Sequence, residues 1–119
     1  MSFPRSYRLI TKFEFKTVFD EAFKLNQFCL TVLFRSNQKD HARIGIIVGK
    51  RVAKKAVSRN RIKRVVRDSF RLNQQKLAGW DIIVIARQRC DTLSKKIVRK
   101  GIDDLWEKLL IRYQNRLSF

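Results

Sequence analysis

Apolar residues near the start of the chain recur at helical spacing: Phe15, Val18, Phe19, Ala22 and Phe23 fall on one face of a helix over roughly 12–24. Thr11 followed by Glu14 has the spacing of a capping box, in which each side chain satisfies a free amide at a helix start. The β-rich run FCLTVLF, Phe28 to Phe34, then predicts a strand. The polar segment Ser36–Ala42 has the look of a hairpin connection to a second strand over about Arg43–Val48, with Gly45 and Gly49 in and after it. A second helix is expected from about Ser58 to Leu77, with Gly79 able to end it. Asp81–Ala86 (DIIVIA) is continuously apolar after its first residue, as in a strand buried on both faces. A third helix starts near Thr92 or Ser94 and carries Val98, Ile102, Leu105, Trp106, Leu109 and Leu110 as its core stripe.

The expected order is α-β-β-α-β-α: an α+β fold with helices packed on a small mixed sheet. The second and third strands, joined by a helix, should be parallel, and the general rule makes such a crossover right-handed. With no internal repeats, no low-complexity tract, one proline and four glycines, residues 1–119 form a single domain.

Charge changes this picture most. The chain carries 28 basic and 10 acidic residues, a net +18, beside 45% hydrophobic residues that can build a core. So one-sided a surface repels itself unless a polyanion neutralises it, and nucleic acid is the default partner. No run of about 20 apolar residues and no secretory signal argues for a membrane. Cys29 and Cys90 match no metal-ligand spacing and are expected as buried, reduced thiols of a cytoplasmic protein. His41, the single histidine, sits in a polar stretch and is expected as a loop residue, so zinc sites and His-based catalysis have almost no material.

The charge is focused. Residues 50–71 hold ten basic residues against Asp68 alone, half of the net charge in under a fifth of the chain. At 100° per helical residue with Arg61 at 0°, Ile62, Val65, Val66, Ser69 and Phe70 span about 40° to 180°. Lys63, Arg64, Arg67 and Arg71 span about 200° to 300° on the same wheel. One side is core and the other a cationic ladder. Arg67 and Arg71 stand one turn apart, a like-charge pair that is mildly unfavourable unless phosphates lie against it. Upstream, Lys50, Arg51, Lys54 and Lys55 form a basic loop leading to Ser58, Arg59 and Asn60, where Ser58 or Asn60 can cap the helix. Arg59 and Arg61 flank Asn60 with planar forks suited to bidentate phosphate contact.

The stretch KAVSRNRIKRVVRDSFR, Lys55 to Arg71, resembles the bacterial ribonuclease P protein component, whose signature is the Arg59-Asn60-Arg61 triplet followed by Ile62-Lys63-Arg64. The likeness extends to Arg8-Leu9, to Glu14-Phe15 through Val18-Phe19, to Arg43-Ile44-Gly45 with Val48 and Lys50, and to Asp81 through Arg87. It implies a protein that pairs with a large catalytic RNA, which removes 5′ leaders from precursor tRNA by hydrolysing one phosphodiester. Magnesium ions held chiefly by that RNA would carry the chemistry, with no catalytic side chain, bound metal or protein partner in the chain itself. The resemblance also implies a left-handed crossover around the signature helix, against the general rule, and that hand is the one expected.

Carried over by position, Arg59, Asn60, Arg61, Lys63, Arg64 and Arg67 would contact RNA, joined by Lys50, Arg51, Lys54, Lys55 and Arg71 from the basic loop and ladder. Phe15, Phe19 and Thr31 would line a cleft for the leader between the first helix and the sheet. Phe15 and Phe19 equally fit a core pair at i, i+4 spacing. Thr31 offers no stacking face where some relatives carry an aromatic residue, and Lys54 and Lys55 stand where some carry glycine and asparagine.

Two other classes compete. A ribosomal or other structural RNA binder has the same composition and lacks only the signature. A protein-only nuclease needs converging carboxylates for magnesium; Asp103, Asp104 and Glu107 are the nearest such group, among lysines expected to pair with them. A DNA-binding regulator fits least, since no helix-turn-helix pattern precedes the basic helix.

Overall fold

The computed structural model describes residues 7–9, 11–27, 29–87 and 89–117. Its elements run α1 (Lys12–Glu21), β1 (Phe23–Gln27), β2 (Leu30–Ser36), β3 (Arg43–Ile47), α2 (Ala56–Asn73), β4 (Trp80–Ala86) and α3 (Lys95–Leu117). The strands form one mixed sheet in the order β1-β2-β4-β3. β1 and β4 each pair antiparallel with β2, and β3 runs parallel to β4, as expected for strands joined through a helix. The fold class is the expected α+β.

The sheet separates two unequal cores. On one face, Val32, Phe34, Ile44, Ile82 and Val84 meet Ile62, Val66 and Phe70 of α2 and Val98, Ile102, Leu105, Trp106 and Leu109 of α3. Phe70 and Trp106 pack edge to face there, as do Phe34 and Trp80. On the other face, α1 covers a small cluster of Leu9, Val18 and Ile83, with Phe15, Ala22, Leu33 and Ile85 half-buried around it. The capping box forms as the sequence proposes: the Glu14 amide donates to Thr11 Oγ1 at 3.1 Å and the Thr11 amide to Glu14 Oε1 at 2.9 Å.

Several boundaries differ from expectation. The first helix stops at Glu21, and Phe23–Gln27 is an edge strand. Phe23 fits both periods; as a strand residue it alternates with Leu25 toward the larger core, where its ring lies 5.6 Å from that of Phe34. The β2 strand begins at Leu30; Phe28 lies outside the described residues. Ser36–Ala42 is not a hairpin between paired strands, because β4 inserts between β2 and β3. The cause is the apolar run of β4, which is buried on both faces only in the middle of the sheet. The connection instead pairs with the residue before β4: the Asn37 amide donates to Gly79 O at 2.8 Å. Gly79 adopts φ +91° there, a left-handed turn that favours glycine.

The second helix starts at Ala56 and ends at Asn73, and neither Ser58 nor Asn60 caps it. Lys55 is the N-cap residue without a side-chain bond, and Arg59 holds the first turn instead, donating to Ala53 O at 3.0 Å and Lys54 O at 2.8 Å. Ser94 begins the third helix as expected, its Oγ accepting from the Ile97 amide at 3.2 Å. The cysteines are buried but not reduced: Cys29 and Cys90 form a disulfide, with Cα atoms 5.3 Å apart. Sequence separation concealed this. The Arg87 amide bonds Cys29 O at 2.6 Å, and the turn after β4 then folds Cys90 back onto the start of β2.

Candidate nucleic-acid interface

α2 divides as its sequence pattern requires. Ile62, Val66, Ser69 and Phe70 are buried and Val65 is half-buried. Ser69, the polar member of this face, donates to Asp103 Oδ1 and accepts from Trp106 Nε1 at 2.9 Å, which ties α2 to α3. On the outer side, Arg64 and Arg71 are exposed, and Lys63 and Arg67 are half-buried. With Lys50, Arg51, Lys54 and Lys55 on the preceding loop, these cations donate to no protein acceptor among the described residues. Burial, and after it the charge of Arg8, pushes the Arg67 pKa below its usual value. A phosphate at this place would offset both penalties.

The signature residues have two kinds of task. Arg59 staples the basic loop to the helix, and Arg61 reaches across to Asp91 O at 3.0 Å, securing the turn before α3. Both spend donors on backbone carbonyls and keep the rest of their forks available. Asn60 is exposed and lines an open groove of about 390 Å³ with Val57, Arg61, Arg64, Val65, Asp68 and Lys95. Lys95 joins this surface from α3 and Arg8 joins it beside Arg67. Neither was in the sequence-derived set, and only tertiary packing brings them there.

The second candidate surface lies under α1. Phe15 rests on β3 so closely that a Cβ on Gly45 would meet its Cζ at 2.4 Å, which explains a glycine in mid-strand. Phe19, one turn later, is 47% exposed. Thr31 is buried on the same side of the sheet and donates to Asn26 Oδ1 at 2.7 Å. The three sequence-assigned cleft residues therefore differ: Phe15 is largely packing, Phe19 offers an open face, and Thr31 contributes to the floor.

α1 is held over the sheet by an ion cluster. Arg43 donates through Nε to Asp81 Oδ1 at 2.8 Å, through Nη2 to Asp81 Oδ2 at 2.6 Å, and through Nη1 to Glu14 Oε2 at 2.5 Å. The hydrogen bond with the buried Asp81 is the main cause holding the Arg43 pKa above its usual value. Glu14 thus caps α1 with one oxygen and anchors it to β3 with the other. Sequence reasoning found the cap and missed the anchor, since nothing local links residues 14, 43 and 81. Of the carboxylates weighed as a metal site, two are engaged elsewhere: Asp103 with Ser69 and Arg99, and Asp104 with Gln27 Nε2 at 3.4 Å.

Fold and charge together define a small basic α+β protein with one focused cationic face. The Ribonuclease P family profile matches residues 3–110. The ribonuclease P protein component of Ectopseudomonas mendocina is 45% identical over 108 residues, 90% of this chain and 81% of that protein. That of Pseudomonas aeruginosa is 44% identical over 109 residues, 91% and 81% of the two. Among solved structures, the Staphylococcus aureus RNase P protein superposes with a TM-score of 0.81 at 28% identity, covering 87% of this chain and 94% of that one. The Thermotoga maritima protein gives 0.75 at 34% identity, covering 85% and 96%. The chain belongs to the ribonuclease P protein family.

Proposed function

We propose that this protein is the RNA-binding subunit of a ribonuclease P particle, and that it promotes endonucleolytic removal of the 5′ leader from precursor tRNA in the cytoplasm. The observation that carries the reading is the outer face of α2 with its loop: ten basic residues, one acidic residue, and no protein partner among the described residues for most of the cations. A solvated helix face is normally interspersed with acids, and this one needs phosphates. The catalytic RNA lies against α2 and the basic loop, while the single-stranded leader enters between α1 and the sheet, where Phe19 stacks on a base. Magnesium ions held chiefly by the RNA would supply the chemistry of hydrolysis. The protein supplies charge neutralisation and a leader grip.

Reconstitution tests this directly. The protein with its catalytic RNA should cleave precursor tRNA at magnesium concentrations where the RNA alone is slow, and the RNA-free protein should cleave nothing. Robust cleavage by the protein alone would overturn the reading. A structural RNA binder outside this particle would bind the RNA without raising leader cleavage.

A further inference from the structure

The turn between β4 and α3 lies beside the cationic face, and Cys90 is its one buried residue among those described. Arg89 next to it takes φ +78°, a left-handed conformation rare for a residue with a Cβ. Bonds within the turn are local: the Cys90 amide donates to Arg87 O at 3.3 Å, and the Thr92 amide and hydroxyl donate to Arg89 O at 3.1 and 2.9 Å. Such bonds shape the turn without fixing where it sits. Longer ties do that. The Arg87 amide donates to Cys29 O at 2.6 Å, the Cys29–Cys90 bridge spans a separation of 61 residues, and Arg61 Nη2 donates to Asp91 O at 3.0 Å.

Cys90 and Asp91 are neighbours, so the bridge and the Arg61 bond act on the same point of the turn. Cys90 also lines a small hollow with Arg61, Ile62, Val65, Leu93 and Lys95. Lys95 is the first residue of α3 and shares the open groove with Asn60, Arg61 and Arg64. The seat of the turn therefore decides whether Arg61 and Lys95 line up with the ladder of α2. Cys29 and Cys90 are only 5% and 1% exposed, so a dissolved thiol does not reach the bridge in the closed fold. Exchange requires the turn to open, and a segment with one buried residue opens at lower cost than the sheet beside it.

We propose that Cys29 and Cys90 are a reversible thiol–disulfide switch that sets the affinity of the α2 face for RNA, with the bridged state holding Arg61 and Lys95 in the binding arrangement. The inference rests on the RNA-face reading and adds regulation to it. The reductant is a low-molecular-weight thiol and the oxidant is its disulfide. A buffer thiolate attacks one bridge sulfur, the S–S bond breaks, and the other protein sulfur leaves and takes a proton. A second buffer thiolate attacks the mixed disulfide, which releases the second protein thiol and the buffer disulfide. Two electrons and two protons pass to the protein, and oxidation is the reverse. In the cytoplasm proposed above, disulfides are transient, which suits a sensor better than a permanent staple. Once the bridge is reduced, RNA must order the turn as it binds, and that ordering is subtracted from affinity. Linkage makes the coupling reciprocal: bound RNA stabilises the bridge by the factor with which the bridge tightens RNA.

The experiment measures binding of the full chain to its catalytic RNA in glutathione buffers poised from fully reduced to fully bridged, with thermal melts of both forms. The bridged form should bind roughly tenfold tighter, within the usual range of coupling between sites. Saturating RNA should lower the midpoint potential of the bridge by about 30 mV, the same factor for a two-electron couple. Cys29→Ala combined with Cys90→Ala should bind as the reduced form does, whatever the buffer. Arg61→Ala, which cuts the tie between turn and helix, should shrink the difference between the two redox forms. If both forms are folded and bind equally, the bridge is a staple only, the switch is wrong and the RNA face stands. If reduction unfolds the chain at the assay temperature, the switch is wrong for the same reason. If neither form binds, the RNA-face reading falls and the switch with it. An undiminished redox difference in Arg61→Ala would refute the route through Arg61.

Discussion

The two faces of the sheet are built to different depths. On the α2–α3 side, two long helices bury a continuous core, so the cationic ladder of α2 sits on a foundation that does not depend on it. On the α1 side, a ten-residue helix covers three fully buried residues and leaves Phe19 and part of the sheet open. Binding on the first side is separable from folding, because its cations touch solvent. Binding on the second side shares residues with folding, and the ion cluster at Arg43 substitutes for packing that α1 lacks.

The largest expected effect tests the deep side. Phe70→Ala removes a fully buried ring from between α2 and α3, and should cost about 3–5 kcal/mol of stability from transfer and cavity terms together. Chemical denaturation measures it. Below the melting transition, the surviving folded fraction should still prefer precursor over mature tRNA by the wild-type ratio.

Next is Arg43→Ala, which leaves Asp81 buried without its counter-charge and frees Glu14 from the sheet. Stability should fall on the order of 3 kcal/mol, because removing one partner strands the other. Here the comparison predicts a second loss absent from Phe70→Ala: with α1 unanchored, the precursor-to-mature ratio should drop even where the protein is fully folded. An intact ratio would show that α1 keeps its place without the cluster.

Phe19→Ala should remove about 1–3 kcal/mol of stacking from precursor binding while costing less stability than a buried phenylalanine. Phe23, half-buried against Phe34 in β1, is the control, and its loss should destabilise without discriminating between the two RNAs. A Phe19→Ala variant that merely melts earlier would return this residue to the core.

Legibility in the sequence followed the same division. The α2 face could be read because a helix wheel maps the contiguous residues Arg61 to Arg71 onto two sides, and charge confirmed the split. The Thr11–Glu14 cap and the DIIVIA strand were equally local. What escaped depends on residues far apart in the chain. Arg43, Asp81 and Glu14 meet only after β3 and β4 align. Cys29 and Cys90 meet only after β4 enters beside β2. Phe23 satisfied a helical period and a strand period at once, and only the partner strand decided between them. Arg59 and Arg61 had the right chemistry for phosphate, but their bonds to Ala53, Lys54 and Asp91 carbonyls required the loop's path.

The smallest effect is the sharpest test of separability, and it compares Arg64 with Arg67. Both lie on the outer face of α2, and each should contribute one phosphate contact, so either change to Ala should lower the salt slope of RNA binding by roughly 0.7–0.9. Their stability effects should differ. Arg64 is exposed and its removal should be near neutral. Arg67 is half-buried beside Arg8, and both burial and that neighbour disfavour its charge. Both penalties belong to the folded state alone. Arg67→Ala should therefore raise the melting temperature slightly, by a few tenths of a kcal/mol in stability once solvent screening is allowed for, while weakening RNA binding. Arg67→Gln should behave alike, since the effect is one of charge. Salt titrations of binding and thermal melts of the free protein, taken on the same three variants, separate these terms. If Arg67→Ala lowers the melting temperature by several degrees and leaves the salt slope untouched, Arg67 is a structural residue and the ladder is shorter by one rung.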